Sequence, residues 1–348
     1  VQELDKKLSA SPDRLLYVDV ARVAAAVAVV VVHAAAPLTF AFGGIPVWQW
    51  WIANLFSSFA RWCVPVFIMI SGALMLDSQR EDKPQLFLSK RLWRLLIPLV
   101  FWSVAYALYY HWVRGDELSL GFSLQRMIFD QPYEHLYFLF ILVELTLITP
   151  WLKRFWWQLS GRQQNIFLAS MLLMTFLWRP NRFVGTLFIP YVSYYLLGIW
   201  ISTVSVSHRA GRWLLAIAGS ALSLIALGTY LLVSHRIPNN DGLYLYTYTQ
   251  PLALIASVGV MLGFKSFFAH PRSLSMRWLR WVRFMAPLTF GIYLIHPIAL
   301  DWWQWALSSI SQSLIFKILE VLILTVLSFI TSVGIIWAVK SRLKSPIV

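Results

Sequence analysis

Charged side chains are scarce in this sequence. They make up 13% of its 348 residues, about half the share of a soluble domain, which excludes an ordinary enzyme with a fully solvated surface. Acidic groups are scarcer still, 15 Asp and Glu against 29 Lys and Arg. The single cysteine, Cys63, lies in an apolar stretch. It cannot close an intrachain disulfide or build a zinc site, and it reads as a small buried hydrophobe. An internal repeat, a Walker-type loop and a Gly-rich dinucleotide fingerprint are all absent, so no motif points to a nucleotide fold.

What the chain has instead is apolar length: 59% of its residues are hydrophobic and 19 are Trp. Segments near the roughly 20 residues that cross a bilayer recur at 16–37, 48–76, 92–113, 135–152, 164–180, 188–204, 212–234, 248–269, 284–307 and 315–339. This predicts an all-α integral membrane protein of about ten transmembrane helices. Residues 1–348 are expected to form a single membrane domain, opened by a cytoplasmic segment at 1–15.

The net charge of +14 would suit a nucleic-acid partner, but its placement argues for topology and for membrane lipids instead. Lys6, Lys7 and Arg14 precede the first span; Arg80, Lys83, Lys90, Arg91 and Arg94 surround the second connection; Lys153, Arg154 and Arg162 lie in the fourth. Arg209 and Arg212 occupy the sixth, Lys265, Arg272, Arg277, Arg280 and Arg283 the eighth, and Lys340, Arg342 and Lys344 the tail. The alternate connections hold only Arg114, Arg126, Arg179, Arg182 and Arg236. By the positive-inside rule both termini are cytoplasmic and the helix number is even. Lys6 and Lys7 before a run ending in Ala34-Ala35-Ala36 also resemble a secretory signal. Cleavage there would discard Arg22 and His33, and many more spans follow.

Those two residues matter because charge is costly in hydrocarbon. Ten residues separate Arg22 from His33, and eleven helical steps of about 100° return to one face roughly 16 Å along the axis. Asp19 shares that face and can neutralise the guanidinium. Arg61 falls inside the second span, with Pro65 opening the backbone one turn later and Ser71-Gly72 allowing close approach of another backbone. For Arg61 a structural ion pair and a direct substrate role weigh equally. Lys90, Arg91 and Arg94 fix topology or meet phosphate. Glu134-His135 opens the fourth span, and Glu144 lies deep within it, expected to be protonated or to seek Arg61. His296 falls near mid-membrane in the ninth span, with Asp301 about one and a half turns later. Two intramembrane histidines beside Arg and carboxylates suggest a buried reaction site. His111, His208, His235 and His270 read as loop or interface residues. Trp48, Trp50, Trp51, Trp302, Trp303 and Trp305 crowd the outer ends of two spans, where an aromatic belt explains them without sugar stacking.

Asp19-x-x-Arg22 followed by His33 resembles the opening of the acyltransferase 3 family of membrane acyltransferases. Val64-Pro65-Val66-Phe67-Ile68-Met69-Ile70-Ser71-Gly72, preceded by Arg61, is similar to that family's second-helix motif, and Lys90-Arg91 through Pro98 to its basic entry into the third helix. His135-Leu136-Tyr137-Phe138-Leu139 resembles its His-Leu-Trp-Phe-Leu block, with Tyr for Trp. Tyr194-Tyr195-Leu196-Leu197-Gly198 and Gly291-Ile292-Tyr293-Leu294-Ile295-His296-Pro297 complete the series in order. Glu144 and Ala73 depart from the pattern, so Glu144 is not a catalytic carboxylate carried over from it.

The resemblance implies transfer of an acyl group, commonly acetyl, from cytoplasmic acyl-CoA to a hydroxyl of a cell-surface or lipid-linked glycan such as lipopolysaccharide. It also implies a multi-pass protein of the bacterial inner membrane. Acetyl-CoA is then a co-substrate, with no permanently bound cofactor and no metal. Neutral imidazole can take a hydroxyl proton at physiological pH, which makes His33 the expected general base. Arg22, oriented by Asp19, would hold a phosphate or the pantetheine arm of CoA, with Lys90, Arg91 and Arg94 as further acyl-CoA ligands. Arg61 or Tyr293 would stabilise the oxyanion, with Ser71 near the substrate and His296 orienting the acceptor or relaying a proton. The competing classes are an exporter of a glycan or lipid-linked intermediate using the same polar cavity, and a binding module that has lost its chemistry.

Overall fold

The computed structural model describes residues 16–77, 83–115, 135–178, 185–235, 241–269, 275–310 and 313–342. Lys6, Lys7, Arg14, Arg80, Arg126, Glu134, Arg179, Arg182, Arg236, His270, Arg272 and Lys344 lie outside them, as does the segment 1–15.

The described chain is all-helical, with one isolated bridge, Phe42–Ile45, and no strand among the described residues. In chain order the helices are α1 Leu16–Thr39, α2 Val47–Ala60, α3 Cys63–Met75, α4 Pro84–Arg114, α5 Tyr137–Gln158, α6 Gly161–Leu177, α7 Val192–Thr203, α8 His208–Ser234, α9 Pro251–Phe268, α10 Met276–Met285, α11 Thr289–Ala306 and α12 Leu314–Arg342. Short 3₁₀ turns at Ile189–Tyr191, Asp241–Tyr246 and Ala286–Leu288 lead into α7, α9 and α11.

Seven helical stretches among the described residues are long and apolar enough to cross a membrane, so the protein is multi-pass. Two expected spans differ from single helices. The second breaks at Arg61-Trp62 into α2 and α3, because Pro65 has no N–H to bond the Arg61 carbonyl. The ninth is preceded by the basic helix α10. Helix α6, of 17 residues, is at the lower limit of a full span, and α7, of 12, is shorter. Helix α5 carries Glu144, Lys153 and Arg154.

The chain forms two compact units. The first comprises Val1–Phe67 with Val204–Trp337. Its helix α1 is buried along most of its length, with Ala21, Ala25 and Ala35 fully covered. Small side chains at those positions let neighbouring helices come close. Trp50 donates its indole N–H to the Thr39 carbonyl at 3.0 Å and so ties the α1–α2 corner. Lower down, Leu16 and Val20 pack against Val282, with Trp278 and Leu279 of α10 alongside.

The second unit comprises Ile68–Thr203 with Ala338–Val348. Its central contact is reciprocal. A Cβ on Gly72 in α3 would run into the Tyr195 carbonyl of α7, and a Cβ on Gly198 in α7 would run into the Met69 carbonyl of α3. The close approach expected at Ser71-Gly72 is therefore present, and its partner is the Gly198 turn of α7.

Candidate active site

The first unit brings several of the expected residues together. On α1, Arg22 Nη1 and Asp19 Oδ1 are 3.7 Å apart, both partly exposed. The continuous helix from Leu16 to Thr39 carries His33 about 16 Å further along the same face. The Arg283 charge from α10 also acts on Asp19, and Lys265 Nζ lies 5.9 Å from the Tyr17 ring centre. Basic groups from α9 and α10 thus join Arg22 at one end of α1.

At the other end of this stretch, the rings of His33 and His296 face each other with centroids 4.9 Å apart and planes inclined at 58°. His296 is fully buried, whereas His33 is half-buried. His296 Nδ1 lies 2.7 Å from the Tyr293 carbonyl. That oxygen can only accept, so in the neutral ring Nδ1 carries the proton and Nε2 offers a lone pair. The Tyr293 ring centre is 6.2 Å from that of His296.

Arg61 enters from the α2–α3 break and interacts electrostatically with His33. Its Nη2 donates to Ser57 Oγ at 2.8 Å and its Nη1 to the Tyr246 carbonyl at 3.4 Å. Its Cζ lies 4.1 Å above the Tyr246 ring and 5.9 Å from that of Tyr248. None of these partners is a carboxylate, and Nε is buried with no hydrogen-bond partner among the described residues. Arg61 lies within the helical stretch Val47–Met75, at the turn between α2 and α3, and neutral groups hold it.

The remaining expected residues belong to the second unit. Ser71 is half-buried in α3, Lys90 and Arg94 are exposed on α4, and Arg91 lies 6.0 Å from the Phe87 ring centre. His135 is buried edge-on against Tyr106, with centroids 4.7 Å apart. Glu144 Oε1 accepts from the Gly185 N–H at 2.6 Å and its Oε2 from the Phe188 N–H at 2.9 Å. Backbone donors in the turn before α7 meet the carboxylate, a partner not among the two outcomes expected from sequence, protonation or a pairing with Arg61. Cys63, in the first unit, is buried and in no disulfide, in keeping with the reading as a small hydrophobe.

Asn54 and Tyr246 were not identified as site residues from sequence, although both touch the Arg61 neighbourhood. The available signal was an Asn within an apolar helix and three alternating tyrosines, Tyr244, Tyr246 and Tyr248, at the entrance to a span.

No curated protein and no solved structure gives a match to this chain. The acyltransferase-domain profile of the acyltransferase 3 family matches residues 15–337, which takes in Asp19, Arg22, His33, Arg61 and His296. With nearly the whole chain covered and the helices apolar enough to cross a membrane, the protein belongs to the acyltransferase 3 family and is an integral-membrane acyltransferase.

Proposed function

We propose that this protein transfers an acyl group, acetyl in the simplest case, from cytoplasmic acyl-CoA to a hydroxyl of a cell-surface or lipid-linked glycan. The observation that carries this reading is the His33–His296 ring pair within reach of the Arg61 charge. In this reading the protein sits in the bacterial inner membrane as about ten spans, with both termini on the cytoplasmic side.

His33 acts as general base. It takes the proton of the acceptor hydroxyl as the oxygen attacks the thioester carbonyl. The carbonyl becomes a tetrahedral oxyanion, stabilised by Arg61 or Tyr293. The C–S bond then breaks, and the proton held by His33 passes to the departing CoA thiolate. A neutral His296, with its proton committed to the Tyr293 carbonyl, offers only the Nε2 lone pair to a donor. Arg22, partnered by Asp19, binds a phosphate or the pantetheine arm of CoA; Lys90, Arg91 and Arg94 of the second unit are proposed by their charge alone as phosphate ligands, and Ser71 as a substrate residue. Direct transfer, without an acyl-histidine, needs the fewest steps.

The test is acetyl-CoA turnover by purified protein in nanodiscs with added lipid-linked glycans. CoA release that depends on the glycan and is lost in His33→Ala supports the proposal. If acetyl-CoA neither stabilises the protein against heat nor turns over with any acceptor, the proposal fails and export of the glycan becomes the better reading.

A further inference from the structure

Arg61 is held by a network that reaches well away from His33. Asn54, fully buried in α2, donates Nδ2 to the Ala226 carbonyl of α8 at 2.9 Å. A carbonyl only accepts, so the amide orientation is fixed and Oδ1 faces the other way. There Oδ1 accepts from the Tyr246 hydroxyl at 2.6 Å and from Ser58 Oγ at 3.1 Å. Tyr246, buried at the end of the Asp241–Tyr246 turn, then offers its ring and its carbonyl to the guanidinium. Gln250 pins the same turn from the α9 side, donating to the Leu245 carbonyl at 3.1 Å and accepting from the Leu252 N–H at 2.8 Å.

Every one of these contacts is neutral. A guanidinium placed only for stability would be expected against a carboxylate, because an uncompensated buried charge is costly. A π-face, a carbonyl and a hydroxyl fix the position of the cation without cancelling it. That is the requirement for a group that meets negative charge developing on a substrate. Two of the five guanidinium N–H groups are engaged by protein acceptors, and the buried Nε–H has no acceptor among the described residues.

We infer that Asn54 and Tyr246 are positioning residues, which hold Arg61 so that its N–H groups bind the oxyanion formed at the thioester carbonyl. The inference rests on the acyl-transfer reading above. Asn54 and Tyr246 do not touch substrate; they act through Arg61.

The test compares Tyr246→Phe, which keeps the ring and carbonyl but cuts the tie to Asn54, with Asn54→Leu and Arg61→Lys in nanodiscs. Each of the first two is expected to lower kcat about tenfold, within the range for a displaced catalytic group. KM for acetyl-CoA stays within about twofold, since binding is not what is lost. Adding Tyr246→Phe to Arg61→Lys costs nothing further, because both act on one group. A second readout needs no turnover: the Arg61 Nε–H resonance, assigned by its disappearance in Arg61→Lys. It should be sharp in the wild-type protein and broadened in Tyr246→Phe and Asn54→Leu. Wild-type kcat in both variants, or losses that add to that of Arg61→Lys, overturns the inference. If wild-type protein transfers no acyl group the function proposal falls separately, and a resonance unchanged in both variants still overturns the positioning role.

Discussion

Arg61 and Glu144 pose the same physical problem, a charged group inside an apolar helical stretch, and the two units solve it in opposite ways. In the second unit both Glu144 oxygens are taken by backbone N–H groups of one turn, at 2.6 and 2.9 Å. Each carboxylate oxygen thus has a donor, and the group serves to shape the entry to α7. In the first unit Arg61 is gripped by a ring, a carbonyl and a hydroxyl, none of which carries charge. A charged group whose oxygens or nitrogens are each engaged by the protein is structural, whereas one with an N–H left over among the described residues, as at Arg61 Nε, is available for chemistry.

The comparison predicts that substituting His33 removes activity while the protein stays folded, and that substituting Glu144 or Gly198 does the reverse. The largest effect is expected from His33→Ala, which should lower acyl transfer by about 10²–10⁴-fold, as loss of a general base does, with the thermal midpoint nearly unchanged. Next comes Gly198→Val, where overpacking against the Met69 carbonyl should cost roughly 1–3 kcal/mol or prevent folding altogether, visible as loss of monodisperse protein. Glu144→Gln keeps one acceptor for two donors and should destabilise by about 1–3 kcal/mol while leaving kcat within about twofold. Such a variant losing kcat without losing stability would erase the distinction. The smallest effect is Arg22→Ala, expected to raise KM for acetyl-CoA about tenfold with little change in kcat, in the manner of lost ground-state binding.

Much of this division can be read from sequence, because hydrocarbon leaves few ways to satisfy a charge. Arg22, Asp19 and His33 follow from helical periodicity on a single element, and α1 carries them as that periodicity requires. His296 reads as a mid-membrane titratable group, and the structure pairs it with His33. The Gly72 approach is visible as Ser-Gly in an apolar run, but its partner is not, because Gly198 lies more than a hundred residues away. Glu144 misleads for a related reason. Its donors are backbone N–H groups of the turn at Gly185 and Phe188, which leave no mark on side-chain composition. Asn54 and Tyr246 escape notice because their role depends on a 3₁₀ turn folding back onto α2, a tertiary contact that periodicity cannot report. The break at Arg61 is local, since Pro65 announces it.

The most direct test of the account is acyl transfer measured with labelled acetyl-CoA and a lipid-linked glycan acceptor, run in parallel on wild-type, His33→Ala and Glu144→Gln proteins of known thermal midpoint. The account predicts that His33→Ala is stable but inactive and that Glu144→Gln is active but less stable. A stable His33→Ala protein that transfers acetyl at the wild-type rate would contradict it.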